Sequence, residues 1–215
     1  MTDDELKVMW NKDRAKTITF KTTDYSITQD TEGHTIYLNG SEQTKDWERN
    51  FKFRAIKVKW GKHTFFAHRG FYEAFCELLE DLKPKLKGIR YVNITGVSHG
   101  AAIGQLLHVW LKLHTNILIR RTTLFGSPKV IAIWNILGFY RIKKMCKYIT
   151  FVRCGNDIVP TLPPRIAGYF PLKKQYKLKL KHNSFIEWIK SPFQDHCEYT
   201  TLLKDPDKRS KKRVY

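Results

Sequence analysis

Ser98 has the sequence context of an activated nucleophile. It stands between Gly96 and Gly100 in a Gly-x-Ser-x-Gly pattern, with a β-branched run before it and a long apolar run after it. A strand, a sharp turn and a helix in this order form a nucleophile elbow, in which glycines leave room for backbones that pass close together. The pattern therefore predicts covalent catalysis by Ser98, although an ordinary strand-to-helix turn with small residues also fits it.

Two further polar residues follow predicted strand ends. Asp157 comes after the strand predicted at 148–152, and His196 comes after the last predicted strand. In open α/β sheets the chemistry gathers at the carboxyl ends of strands, so we expect both side chains near Ser98. A serine hydroxyl needs a base to remove its proton as it attacks. The order serine, acid, histidine is that of the α/β-hydrolases, with His196 as the base and Asp157 orienting its imidazole.

Other residues compete for these two roles. The nearest rivals to His196 among the eight histidines are His68, His99 and His182. Asp157 also fits a plain turn residue. Asp195 is a second candidate acid, but it adjoins His196, and neighbouring side chains in an extended segment point to opposite faces.

The elements that would hold these residues alternate between strands and helices. Strands are predicted at residues 25–27, 35–38, 51–60, 63–67, 92–95, 121–125, 148–152 and 172–181. Helices are predicted at 71–82 and 101–113 from their apolar spacing. A change in alternation at Ala55-Ile56 predicts a β-bulge, and residues 130–147 have no clear period. This order predicts an α/β fold, with a mixed sheet flanked by helices.

The composition is that of a globular domain with a strong positive charge. The chain has 215 residues, 42% of them hydrophobic, and a formal charge of +19. This charge fits either a solvated basic surface or attraction to a phospholipid surface or nucleic acid. Basic residues mostly alternate with apolar ones, as on strands with one wet face, and only residues 208–213 form a basic block. Peripheral contact with an anionic membrane is therefore one hypothesis, and nucleic acid is disfavoured.

The cysteines and the first residues bear on cofactors and location. The four cysteines are scattered without a Cys-x-x-Cys pair, so we expect neither a disulfide frame nor a zinc site, and no metal or cofactor. The first residues are acidic and polar, unlike a signal peptide, and no apolar run has bilayer length. These features predict a cytoplasmic protein or one bound peripherally to a membrane.

Six short motifs occur in the order found in class 3, fungal-type lipases. They lie at residues 38–47, 68–74, 95–100, 125–128, 156–164 and 195–199. They comprise a strand end with Asp46-Trp47, a His-x-Gly-Phe helix start, the elbow, Phe-Gly-Ser-Pro, an Asn-Asp-x-Val-Pro stretch and Asp-His-x-x-Tyr. On these residues, the chain resembles a class 3 lipase domain of the α/β-hydrolase superfamily.

The resemblance implies an α/β-hydrolase-type fold, with a mixed, mostly parallel sheet flanked by helices. It implies a lipase or a phospholipase A-type enzyme that cleaves lipid esters through an acyl-enzyme on Ser98, with Asp157 and His196 completing the triad. The oxyanion hole would use the backbone N–H of His99 and a donor at Ser41. The alternative is a catalytically idle protein of the same fold that binds an anionic membrane or nucleic acid.

The resemblance also divides the chain and marks its departures from the family. An N-terminal extension at 1–24 would precede the lipase domain at 25–203 and a basic tail at 204–215. The family usually has His and Leu where this chain has Val97 and His99, and many members are secreted with disulfides. The short segment 41–51 occupies the family's lid position, so we expect only weak interfacial activation.

Overall fold

The computed structural model describes residues 23–31, 33–39 and 54–178. Along the chain the strands are β1 (Tyr25–Asp30), β2 (Gly33–Leu38), β3 (Ala55–Trp60), β4 (His63–His68), β5 (Tyr91–Val97), β6 (Leu118–Phe125), β7 (Ile131–Ala132), β8 (Ile149–Cys154) and β9 (Tyr176–Leu178). The α-helices are α1 (Arg69–Lys85), α2 (His99–His114) and α3 (Ile136–Met145).

The larger of the two described sheets carries the candidate catalytic residues. Its order is β1-β2-β5-β6-β8-β9. Strands β1 and β2 form an antiparallel hairpin, and every later pairing in this sheet is parallel. The carboxyl ends of β2, β5, β6, β8 and β9 therefore share one edge. This arrangement confirms the predicted mixed, mostly parallel sheet.

The smaller described sheet is antiparallel, in the order β3-β4-β7. The strand pair predicted at 51–67 is confirmed from Ala55 onwards, but the bulge predicted at Ala55-Ile56 is wrong. The register runs without interruption from Ala55 opposite His68 to Trp60 opposite His63. Val58 and Trp60 are buried while the lysines between them are exposed, so the alternation keeps one phase throughout β3.

Helix α2 lies at the centre of the fold. Every residue from Gly100 to Leu111 is buried, because the helix packs on β2, β5 and β6 and contacts both α1 and α3. Burial of one large aliphatic side chain contributes about 1.5–3 kcal/mol, so this helix is a rigid support for the residue that precedes it. In the described part of the chain, none of the helices has the length and apolar character needed to cross a bilayer.

Two regions differ from the sequence-based expectation. The unassigned stretch 130–147 contains β7 and α3, and α3 exposes Ile136, Leu137 and Tyr140 while it buries Phe139 and Ile142. Apolar residues on both faces hide the helical period. The strand predicted at 172–181 begins only at Tyr176. Before it, the Lys173 ammonium donates to the carbonyls of Lys147 and Ile149, and this segment turns instead of pairing.

Candidate active site

Ser98 occupies a strained turn between β5 and α2. Its backbone has φ 52° and ψ −118°, and it is the one non-glycine residue with positive φ in the part of the chain described. The Ser98 N–H donates to the carbonyl of Phe125 over 2.9 Å, and its own carbonyl accepts the N–H groups of Ala101 and Ala102. The hydroxyl makes no capping bond to α2. Strain of this kind persists only where the surroundings enforce it and is common at active sites.

The two flanking glycines are required by close backbone contacts. A Cβ on Gly96 would lie 2.7 Å from the carbonyl oxygen of Gly100. A Cβ on Gly100 would lie 2.3 Å from the carbonyl oxygen of Leu38 and 2.5 Å from that of Asn39. The first turn of α2 is thus pressed against the end of β2. The steric reason predicted for these glycines is confirmed.

Asp157 follows β8 and lies at the same sheet edge as Ser98, with β6 between the two strands. It is wholly buried. One carboxylate oxygen accepts the N–H of Val159 over 2.9 Å, and the Asp157 N–H donates to the carbonyl of Cys154. The Val159 bond is one that a turn residue makes. The position of this buried carboxyl, at the sheet edge that also holds Ser98, is what favours a role beyond the turn.

Several predicted residues lie outside the described part of the chain. They are Ser41, the lid segment 41–51, His182, Asp195 and His196. The structure thus brings Ser98 and Asp157 to one sheet edge, while the assignment of His196 as the base and of Ser41 to the oxyanion hole stays a prediction. His99 is the first residue of α2. Its backbone N–H has no acceptor within the helix, as is general for the first N–H groups of a helix.

His99 and His68 both pack against the ring of Phe71. The centroid distances are 5.6 Å for His99 and 4.5 Å for His68. His99 Nδ1 lies 3.4 Å from the Thr23 hydroxyl oxygen. Burial lowers the pKa of His99 to about 4, so its ring is neutral at pH 7. Its side chain therefore packs as a neutral ring against Phe71 and Thr23, and the use of its backbone N–H in the oxyanion hole stays a prediction.

His68 caps α1. Its Nδ1 accepts the N–H of Phe71 over 3.5 Å. Burial, and next the nearby charge of His99, lower the pKa of His68 to about 4. A neutral imidazole that accepts a backbone N–H holds a helix start in place, which is a structural role for this rival to His196.

Two polar residues near the site were not predicted as part of it. Gln105 is buried in α2, and its side-chain amide donates to the Ser127 hydroxyl over 2.7 Å and to the Pro128 carbonyl over 2.8 Å. The Lys129 ammonium donates to the carbonyls of Thr161 and Pro163, which holds the loop after Asp157. The sequence signal for Lys129 is a single lysine inside the apolar stretch 128–132.

Among the described residues, no group of three His, Cys, Asp or Glu side chains could hold a metal ion. The residues that the structure places at this edge are a serine beside a helix start and a buried carboxyl two strands away.

Comparison with known families identifies this arrangement. The model of the family described as "Lipase (class 3)" matches residues 35–167, which are more than half of the chain. The chain belongs to the class 3 lipase family. The matched range contains Ser98 and Asp157 and ends before His196.

Two curated relatives of this class 3 lipase chain are secreted mono- and diacylglycerol lipases of Malassezia globosa. One is 30% identical over 146 residues, which are 64% of this chain and 47% of the relative. The other is 32% identical over 107 residues, which are 46% of this chain and 34% of the relative. The alignments thus span less than half the length of either relative.

Solved structures of fungal lipases share the fold. Lipase II from Rhizopus niveus superposes with a TM-score of 0.63 at 21% identity, over 78% of this chain and 66% of that one. The triacylglyceride lipase of Rhizomucor miehei superposes with a TM-score of 0.61 at 20% identity, over 79% of this chain and 66% of that one. The predicted α/β-hydrolase-type fold is confirmed.

Proposed function

We propose that this class 3 lipase chain is a serine esterase that hydrolyses carboxylic esters of lipids. The observation that carries the proposal is the conformation of Ser98, at φ 52° between β5 and the start of α2. Such a turn presents a hydroxyl beside unpaired helix N–H groups, which is what acyl transfer requires. The names of the Malassezia relatives, mono- and diacylglycerol lipases, support a glyceride ester as the substrate class.

In the proposed mechanism Ser98 Oγ attacks the ester carbonyl while His196 takes the hydroxyl proton. Asp157 orients the imidazole and stabilises the imidazolium. The N–H of His99 and a donor at Ser41 bind the oxyanion, and loss of one such donor typically costs about 3–4 kcal/mol in the transition state. His196 then gives its proton to the leaving alcohol. A water, deprotonated by His196, hydrolyses the acyl-enzyme and regenerates Ser98.

The proposal is tested with p-nitrophenyl esters of increasing acyl length, with the Ser98→Ala protein as the control. We expect turnover by the wild type alone, with a maximum that reports the acyl preference. A fluorophosphonate probe should label Ser98 and no other serine. Turnover that survives in Ser98→Ala, or labelling of another serine, would contradict the assignment.

The net charge of +19 supports a finer proposal about the substrate surface. We propose that the enzyme acts on esters at anionic lipid surfaces, so that phospholipase A-type cleavage stands beside glyceride cleavage. Electrostatic attraction is screened over about 8 Å at physiological salt. Turnover of anionic vesicles should therefore fall steeply with added salt, while turnover of a soluble ester stays nearly constant. Equal salt dependence would exclude the surface preference.

The second candidate function, a catalytically idle binding protein, rests on the same net charge. It predicts salt-sensitive vesicle binding together with no ester turnover and no labelling of Ser98. The ester and probe experiments therefore separate the two candidates.

A further inference from the structure

A basic cavity lies along the loop that follows Asp157. Its volume is about 800 Å³, and it lies between β8, the loop after Asp157 and β9. Half of its described lining residues are basic: Lys129, Arg153, Arg165, Lys173, Lys174 and Lys177. No aspartate or glutamate occurs among the lining residues that the structure describes. Such a cavity attracts anions.

The fold gathers these charges from separate segments. Arg153 on β8 and Lys177 on β9 are register partners on adjacent parallel strands. Like charges on neighbouring strands repel each other. Desolvation, and then the nearby charge of Arg165, lower the pKa of Lys129 to about 8. The cluster therefore carries an electrostatic penalty that a bound anion would relieve.

The basic side chains lack carboxylate partners in the described part of the chain. The ion pairs found there, Arg69–Glu73 and Lys85–Asp81, both lie on α1. Lys129 and Lys173 use their ammonium groups on backbone carbonyls. The Nε of Arg153 is buried and has no hydrogen-bond partner among the described residues. Arg153 thus lines the cavity and has a buried donor without a hydrogen-bond partner among the described residues.

Large apolar side chains are exposed next to the cavity. Ile166 follows the lining residue Arg165 and is 97% exposed. Trp134 is 57% exposed, and its indole lies against Gly168 in the same loop. Exposed apolar residues flanked by basic ones are typical of surfaces that enter the interfacial region of a membrane. This arrangement favours a lipid headgroup over a soluble anion.

We propose that the cavity binds the phosphate of an anionic lipid headgroup, while Ile166 enters the acyl boundary of the same leaflet. A phosphomonoester such as that of phosphatidic acid offers two negative charges and three acceptor oxygens, which suit the fork of an arginine and several lysines. The cavity would hold the domain on a membrane. Neither the proposed nucleophile nor the proposed acid is among its lining residues, so binding can be measured in a protein that lacks the nucleophile.

The test measures binding of the Ser98→Ala protein to phosphatidylcholine vesicles with and without phosphatidic acid. Lys174→Gln/Lys177→Gln changes two exposed cavity lysines, and Lys57→Gln/Lys59→Gln, on exposed positions of β3, is the matched control of equal charge. We expect the cavity pair to weaken binding to phosphatidic acid vesicles about 10- to 30-fold, from two lost surface charges. The control pair should weaken it less than about 3-fold. Equal losses would overturn the proposal.

A second comparison separates the lipid from free phosphate. Ile166→Ser is compared with Leu118→Ser, since Leu118 is also exposed but lies at the opposite end of the sheet, where β6 begins. Ile166→Ser should weaken vesicle binding several-fold and leave thermal stabilisation by inorganic phosphate unchanged. If neither serine variant alters vesicle binding while phosphate still stabilises the protein, the lipid assignment is wrong. Tighter binding to duplex DNA than to vesicles at equal salt would also overturn it.

Discussion

The elbow around Ser98 and the basic cavity along the loop after Asp157 are built in opposite ways. The elbow is a contiguous stretch whose shape is enforced by backbone contacts, such as that of Gly100 with Leu38 and Asn39. The cavity is assembled from four segments that meet only through sheet pairing and loop packing. The difference is also electrostatic: His68 and His99 near the elbow are neutral at pH 7, while the cavity gathers cations.

The two regions differ in the unfavourable contribution that each makes to the free energy of the folded protein. At the elbow the unfavourable term is conformational, since Ser98 is held at positive φ by close packing on both sides. In the cavity the unfavourable term is repulsion between like charges, which any anion relieves. Elbow variants should therefore show steric and catalytic effects that are insensitive to salt, whereas cavity variants should show effects that salt and ligand modulate.

The largest effect expected on the elbow side is the loss of activity on removing a triad residue. Ser98→Ala and His196→Ala should each lower kcat by about 10⁴-fold or more, and Asp157→Ala somewhat less, because the three residues act as one unit. Double variants should lose little more than the single ones. Turnover of a p-nitrophenyl ester measures the effect.

Asp195→Ala is the matched control for the acid. Its activity should remain close to that of the wild type, because neighbouring side chains of an extended segment would point to opposite faces, and we expect His196 to face Ser98. An inactive Asp195→Ala beside an active Asp157→Ala would exchange the two assignments. The buried carboxyl of Asp157 after β8 would then no longer be the catalytic acid.

The next largest effect concerns the fit of the elbow. Gly100→Ala places a methyl group 2.3 Å from the Leu38 carbonyl oxygen, so α2 must move off β2. We expect a loss of about 3–5 kcal/mol in the free energy of unfolding, the range of severe packing faults. Gly70→Ala is the control, because its Cβ would meet nothing closer than 3.6 Å. Urea titrations that give the two variants equal stability would refute the steric account.

The same difference explains why the sequence predicts the elbow but not the cavity. The elbow can be predicted because its strand, turn and helix are consecutive in the sequence. Gly96 and Gly100 directly indicate the close backbone contacts. The cavity is not readable, since Arg153 and Lys177 become neighbours only through the register of β8 and β9. The alternation around Lys177 predicts a strand with its lysines on the wet face, and Lys177 is exposed, yet it also lines the cavity.

Two errors in the prediction of the fold from sequence have related causes. A bulge at Ala55-Ile56 was inferred from a change in the apolar alternation, but that change marks the strand start, which the partner strand decides. Helix α3 is not predicted from the sequence because its exposed face, like its buried face, carries apolar residues: Ile136, Leu137 and Tyr140. Hydrophobic periodicity reports burial, so it fails where apolar residues face outwards.

A third effect, of intermediate size, tests the neutrality of the helical layer behind the elbow. His108 in α2 is buried, with Nδ1 2.8 Å from the Thr122 hydroxyl oxygen and Nε2 3.2 Å from the Met145 carbonyl oxygen. A carbonyl only accepts, so Nε2 carries the proton and Nδ1 accepts from Thr122. Desolvation first, and then the charge of Lys112, lower the pKa of His108 to about 4.

The sign of the pH dependence follows from this lowered pKa. Between pH 6.5 and about 4 the unfolded chain binds a proton at His108 that the folded protein does not, so stability falls as the pH falls through this window. The loss should approach about 2–3 kcal/mol for this group by pH 4. His108→Gln should flatten the dependence of the unfolding free energy on pH. An unchanged slope in this variant would show that His108 does not contribute.

The smallest effect expected separates the strain at Ser98 from its chemistry. Glycine adopts φ 52° at little cost, so Ser98→Gly should relieve the backbone strain, while Ser98→Ala keeps a Cβ and hence the strain. The relief of about 1–3 kcal/mol is partly offset by the greater freedom of glycine in the unfolded chain, which costs about 0.4–1 kcal/mol. We therefore expect Ser98→Gly to be about 1 kcal/mol more stable than Ser98→Ala, with both proteins inactive. Chemical denaturation at two salt concentrations measures the difference, which should not change with salt, because its origin is conformational. A Ser98→Gly protein that is less stable than Ser98→Ala would mean that the turn is relaxed, and that the elbow holds its nucleophile by packing alone.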